Sequence, residues 1–129
     1  MSKVKNLYEV IIPIYQCKLF IIITDDFVAA AKQAGFSLNK SFNTAAGIAC
    51  RVSRKNGGCY FLGINKEYAD DWSVIAHEAL HITNFIFKDK GLKSDLSNDE
   101  AQAYLLQHIV SLVMEYKIRT ASKLKKFIK

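Results

Sequence analysis

The chain has 129 residues, half of them hydrophobic, and 18 basic against 12 acidic side chains give it a net charge of +6. A length and composition of this kind suit one domain, spanning 1–129, that buries its own core, and they exclude a disordered chain. Three cysteines, Cys17, Cys50 and Cys59, with no CxxC pair exclude a disulfide framework and a cysteine-based zinc site.

The first apolar stretches are Tyr8–Tyr15 and Lys18–Thr24, rich in isoleucine and aromatics, with Pro13–Gln16 as an irregularity between them. They read as two strands, or as one long strand broken at Pro13. Glu9, Gln16 and Lys18 interrupt them, so no run approaches the roughly 20 residues that a bilayer requires. No small-residue cleavage site follows, which speaks against a signal peptide. The expectation is a soluble, cytoplasmic protein without a transmembrane segment.

Asp25 or Asp26 caps a helix through Phe27–Ala34, which Gly35 ends. Residues 36–45 read as a polar loop. Gly47–Arg54 and Cys59–Ile64 follow, joined by Lys55-Asn56-Gly57-Gly58, and an Asn-Gly pair between two such runs signals a hairpin. A turn at Asn56-Gly57 places Arg54 opposite Cys59 and Cys50 opposite Gly63, which keeps the cysteines apart.

Two long helices complete the pattern. Asp70 or Asp71 caps the first, whose apolar positions run through Trp72, Ile75, Ala79, Ile82, Phe85 and Ile86 to Gly91. The second extends from about Ser97 to about Thr120, with a wide apolar face at Leu105, Leu106, Ile109, Val110, Leu112 and Val113. The order β, β, α, β, β, α, α describes an α+β domain. Lys117–Lys129 form a basic tail of five lysines, one arginine and no acid, with Ile118, Leu124, Phe127 and Ile128 interleaved. Such a segment suits an acidic partner or an anionic surface, or is simply a solvated helix end; nucleic acid is the less favoured partner.

The first long helix carries Ile75-Ala76-His77-Glu78-Ala79-Leu80-His81. Residues at i and i+4 project from one helix face a turn apart, so both imidazoles can converge on one ion. Glu78 is rotated about 100° from His77, where a base can take a proton from a metal-activated water. The bland alternative is a pair of histidines without a ligand on a packed helix. A catalytic site takes a third protein ligand, and Ile82-Thr83-Asn84-Phe85 after His81 excludes an HxxGxxH continuation. The third ligand is sought in Ser97–Tyr104, where Glu100 follows His81 by nineteen positions and Asp99 is a substitute. Ser97-Asn98-Asp99-Glu100 also fits the S-x-x-E capping box, in which the glutamate only satisfies a backbone N–H.

HExxH followed by a glutamate on the next helix resembles the gluzincin zinc metallopeptidases. Glu100-Ala101-Gln102-Ala103-Tyr104-Leu105-Leu106 is similar to the second-helix pattern of small ImmA/IrrE-type peptidases and of compact zincins carried by phages. The resemblance covers about residues 59–113. It implies a small zincin-like domain, with an antiparallel or mixed sheet packed on the HExxH helix and the long helix after it. It implies zinc on His77, His81 and Glu100, Glu78 as general base, and a peptide or protein substrate aligned by a sheet-edge strand, here Cys59–Ile64. Gluzincins often place an aspartate four residues after the ligand glutamate; Tyr104 stands there, so another carboxylate or a carbonyl would support a histidine instead, with Asp95 and Asp99 as candidates. The alternative is a non-catalytic zincin-like binding or structural protein, such as a phage accessory protein docking through its basic tail, in a host cytoplasm or virion.

Among the remaining residues, Tyr104 is a candidate hydrogen-bond donor to a developing oxyanion, with Tyr60 and Tyr68 weaker ones. His108, eight residues after Glu100, is read as packing.

Overall fold

The computed structural model describes residues 6–52, 58–93 and 95–128, with side chains inside the last helix described as far as 121. It is an α+β domain with a mixed four-stranded sheet and three α-helices. The chain runs β1 (Tyr8–Ile12), β2 (Cys17–Thr24), α1 (Phe27–Ala34), β3 (Gly47–Arg51), β4 (Cys59–Asn65), α2 (Trp72–Asp89) and α3 (Asp99–Ile128). Short 3-10 turns occupy Lys40–Thr44, Lys66–Tyr68 and Leu96–Asn98, so the expected polar loop at 36–45 contains one of them.

The strand order is β1-β2-β4-β3, with β2 and β4 parallel and the two outer pairs antiparallel. The stretch around Pro13 is a turn between two paired strands, and Gln16 leaves it in the left-handed region at φ 49°. Central strands buried on both faces need apolar residues at every position rather than alternate ones. Accordingly Leu19, Ile21, Tyr60, Leu62 and Ile64 point to α2 and α3, while Phe20, Ile22, Cys59 and Phe61 point to α1. Gly63 makes the second layer tight: a Cβ there would stand 2.8 Å from Cε1 of Phe27, the fully buried first residue of α1.

The capping follows from side chains at the helix starts. Asp26 accepts from the N–H of Ala29 at 3.0 Å, and Asp71 accepts from those of Ser73 and Val74. Gly35, at φ 99°, and Gly91, at φ 73°, take the left-handed conformation after α1 and α2. Asp70 pairs instead with Lys117 at 2.9 Å, and Lys117 also lies 4.7 Å above the ring of Trp72. At the other end Gln102 donates to Asn84 at 2.8 Å, so α3 lies antiparallel along α2.

Four expectations are corrected. The hairpin register pairs Cys50 with Phe61 and Arg51 with Tyr60, two residues away from a turn centred on Asn56-Gly57; that turn falls outside the described residues. The strand from Cys59 is interior, between β2 and β3, so the sheet edges are β1 and β3. The capping box at Ser97 does not form: Asp95 accepts from the N–H groups of Ser97 and Asn98, caps the 3-10 turn, and the chain passes directly into α3. Finally, α3 runs on to Ile128, so the basic tail is helical up to that residue. Among the described residues no helix is long and apolar enough to cross a membrane.

Cys17 and Cys59 are buried in different layers, and Cys50 is half-buried. All three are free thiols, and burial pushes those of Cys17 and Cys50 above their ordinary values.

Candidate metal centre

α2 presents two faces. Ile75, Ala79, Ile82 and Ile86 are fully buried against the sheet and anchor the helix. His77 and His81 stand on the exposed side, next to the edge strand β3, and Glu78 lies between the two faces at 8% exposure. The Nε2 atoms of His77 and His81 are 3.2 Å apart, with the rings nearly perpendicular at 81°. His81 also stacks at 6.3 Å on the ring of Phe85, one turn further on.

Glu78 completes a group in which one ligand atom from each of the three residues lies within 4.8 Å of the others. Burial pushes its carboxyl above the ordinary value, and the two neighbouring imidazoles pull it partly back. The carboxylate is pressed against β3, where a Cβ on Gly47 would stand 2.8 Å from Glu78 Cγ. A cavity of about 430 Å³ opens beside it, lined by Ala46, Gly47, Ser73, Val74, His77 and Glu78. Gly47 carries no motif in the sequence. Its only signal is a strand-initial glycine, which marks a close approach as often as a turn.

The edge of β3 is open in a regular pattern. Val52 donates its N–H to Cys59 and Asn65 donates to Ala46, both at 2.8 Å. Antiparallel ladders alternate, so Gly47, Ala49 and Arg51 direct their N–H and C=O groups away from β4. Among the described residues no strand pairs with that edge.

The structure does not bring Glu100 to the histidines. It is exposed in the first turn of α3 and lies outside the three-residue group. Leu105, Ile109, Val113 and Tyr116 are the buried stripe of α3, and Glu100 is about 140° around the helix from Leu105. Asp99 is exposed beside it, and Asp95 spends its carboxylate on the 3-10 turn. Tyr104 is 66% exposed, and neither it nor the exposed Tyr68 lines the cavity. Tyr60 is fully buried and donates its hydroxyl to Asp89 at 2.6 Å. His108 is exposed on α3 rather than packed.

Searches against family models, curated proteins and solved structures return no match.

Two imidazoles that share one tetrahedral ion at Zn–N distances near 2.0–2.1 Å have nitrogens about 3.3 Å apart. The 3.2 Å separation, which is also that of a hydrogen bond between the two rings, is compatible with that requirement, and the ligand type suits zinc among other imidazole-binding metals. His77, Glu78 and His81 thus fit a metal ion.

Proposed function

We propose that the chain is a small zincin-like, zinc-dependent metallopeptidase acting on peptide or protein substrates in the cytoplasm. The observation that carries this reading is the pair of Nε2 atoms 3.2 Å apart beside the buried carboxylate of Glu78. Zinc, when bound by His77 and His81, supplies Lewis-acid activation of water for attack on an amide carbonyl.

The protein's own groups do the rest. Glu78, with its proton affinity raised by burial, accepts a proton at its carboxylate and returns it to the leaving amine. Gly47 lets that carboxylate sit directly against the edge strand. The outward N–H and C=O groups of Gly47, Ala49 and Arg51 can add an extended peptide as a further strand, which carries the bond to be cut past the histidines. The edge strand in this role is β3, not the strand from Cys59. Glu100 is the sequence's candidate for the third ligand, a role that requires the first turn of α3 to present it towards α2.

Glu78→Gln tests the mechanism. The variant is expected to bind zinc as the wild type does and to lose peptide cleavage; undiminished cleavage would reject Glu78 as the base.

A second reading has its own support, because among the described residues the metal-capable group holds no ligand beyond His77, Glu78 and His81. In that reading the domain is a zincin-like binding or structural module that docks on an acidic partner through its basic tail. A His77→Ala, His81→Ala double variant that keeps full biological function favours it; zinc-dependent cleavage of a natural protein rejects it.

A further inference from the structure

Arg51 is the last residue of β3 and lies on the side of the sheet that faces α2. Its Nε donates to both oxygens of Asp89 at 3.1 Å, and its guanidinium carbon sits 4.5 Å above the ring of Phe85. Tyr60 donates to the same Asp89 carboxylate at 2.6 Å. The guanidinium is therefore held on one edge and one face before any ligand arrives. Nε makes both of the Arg51 bonds to Asp89, which leaves the terminal nitrogens, the fork that can match a carboxylate, without a hydrogen bond to Asp89. The side chain is still 43% exposed.

Its position along the site is as informative as its chemistry. Phe85, under the guanidinium, is one turn beyond His81 and stacks on that ring. Arg51 thus stands about 6 Å along α2 from His81. It is also four residues, about 13 Å, along β3 from Gly47, which touches Glu78. At the opposite end the cavity by Ser73 and Val74 has no lysine or arginine in its lining. A peptide laid along β3 would meet a pocket without lysine or arginine, lined by Glu78 and His77, at one end and a fixed guanidinium at the other.

We propose that Arg51 forms a carboxylate-recognition subsite for the peptide on the β3 edge, taking an acidic side chain or a terminal carboxylate two to four residues from the bond that is cut. The inference rests on the edge-strand reading under Proposed function. Asp89, Phe85 and Tyr60 are its positioning residues, because they fix the guanidinium without touching the peptide.

The test uses blocked decapeptides of uncharged residues, each carrying one glutamate at a different position, with glutamine counterparts and with free-acid or amide C-termini. Binding is measured on zinc-loaded Glu78→Gln protein and cleavage on the wild type. Glutamate at one position is expected to improve binding about tenfold over glutamine, the size of one charge-assisted contact. Arg51→Gln should remove that preference, so that the glutamate and glutamine peptides bind alike, and Arg51→Lys should restore part of it. A gain from the free-acid terminus alone assigns the subsite to a terminal carboxylate; a gain from one internal position assigns it to a side chain. Equal binding of all peptides by the wild type, no binding at all, or a preference that survives Arg51→Gln overturns the proposal. Preference without cleavage defeats the peptidase reading and leaves the subsite standing, and cleavage without preference does the reverse.

Discussion

Gly47 and Glu78 are in contact across the junction of β3 and α2: a Cβ on the glycine would lie 2.8 Å from Glu78 Cγ and 3.2 Å from its Oε2. The edge strand and the helix meet at the one carboxylate of the cluster. Gly47→Ala is therefore expected to overpack the junction, at a cost of about 1–3 kcal/mol, and to push Glu78 off its position beside the imidazoles. Urea denaturation checks the first effect. Zinc titration separates the second, because the histidines are untouched and zinc should still bind while cleavage falls. A variant as stable and active as the wild type would show that the contact carries no constraint.

His77 and His81 contribute nothing to the core, since both are on the exposed side of α2. Replacing either by alanine should change zinc-free stability by no more than about 0.5 kcal/mol, the usual range for surface substitutions. Zinc should raise the unfolding free energy of the wild type by about 4 kcal/mol at a free concentration a thousand times its dissociation constant. Each single variant should lose most of that gain, because one imidazole cannot hold the ion alone. Thermal unfolding with zinc and with a chelator reads both numbers. Equal stabilisation of wild type and variants would remove the histidines from the site.

The pattern of the sequence reaches some of these relationships and misses others for identifiable reasons. The helix at His77 and His81 was legible because its apolar positions recur at helical spacing and Asp71 stands at its start. The hairpin between β3 and β4 was legible as a hairpin, but its register was not. A slip of two residues keeps every side chain on the same face, so alternation cannot distinguish Cys50 opposite Phe61 from Cys50 opposite Gly63. The interior position of β4 was hidden for a different reason. Its parallel partner, β2, is about forty residues away in sequence, and only its unbroken apolar run hinted that both faces were covered. Asp95 was missed as a cap because Ser97 offered a better-known pattern two residues later, and the intervening 3-10 turn has no clear sequence signature.

Helical phase is also invisible in distance along the chain, and it bears on Glu100. Distance along the chain from His81 is compatible with a third ligand, but the buried stripe of Leu105, Ile109 and Val113 turns Glu100 outwards. With the helix in this phase, Glu100→Ala is expected to keep the zinc stoichiometry of the wild type and to alter stability by less than about 0.5 kcal/mol. Elemental analysis of the two purified proteins decides the matter. Loss of zinc from the variant would assign the third ligand to Glu100 and require a different presentation of the first turn of α3.

Asp89 supplies a pH signature independent of any metal. Partial burial raises its carboxyl, but the hydrogen bonds from Tyr60 and Arg51 outweigh that and hold it below its ordinary value. A carboxyl with a lower folded pKa binds protons less readily in the folded state than in the unfolded one. It contributes stability above the unfolded value, near 3.8, and that contribution drains away as the pH falls through the folded value. Asp89→Asn keeps the size and an acceptor oxygen for Tyr60 but loses the charge opposite Arg51. The wild type should exceed the variant in stability by a constant margin above about pH 5, and the margin should shrink steadily on acidification below about pH 4. Urea unfolding of the two zinc-free proteins across that range measures it. A margin that stays level down to the lowest pH would mean that Arg51 and Tyr60 do not hold Asp89 as an anion, and the fixed guanidinium at the end of β3 would lose its anchor.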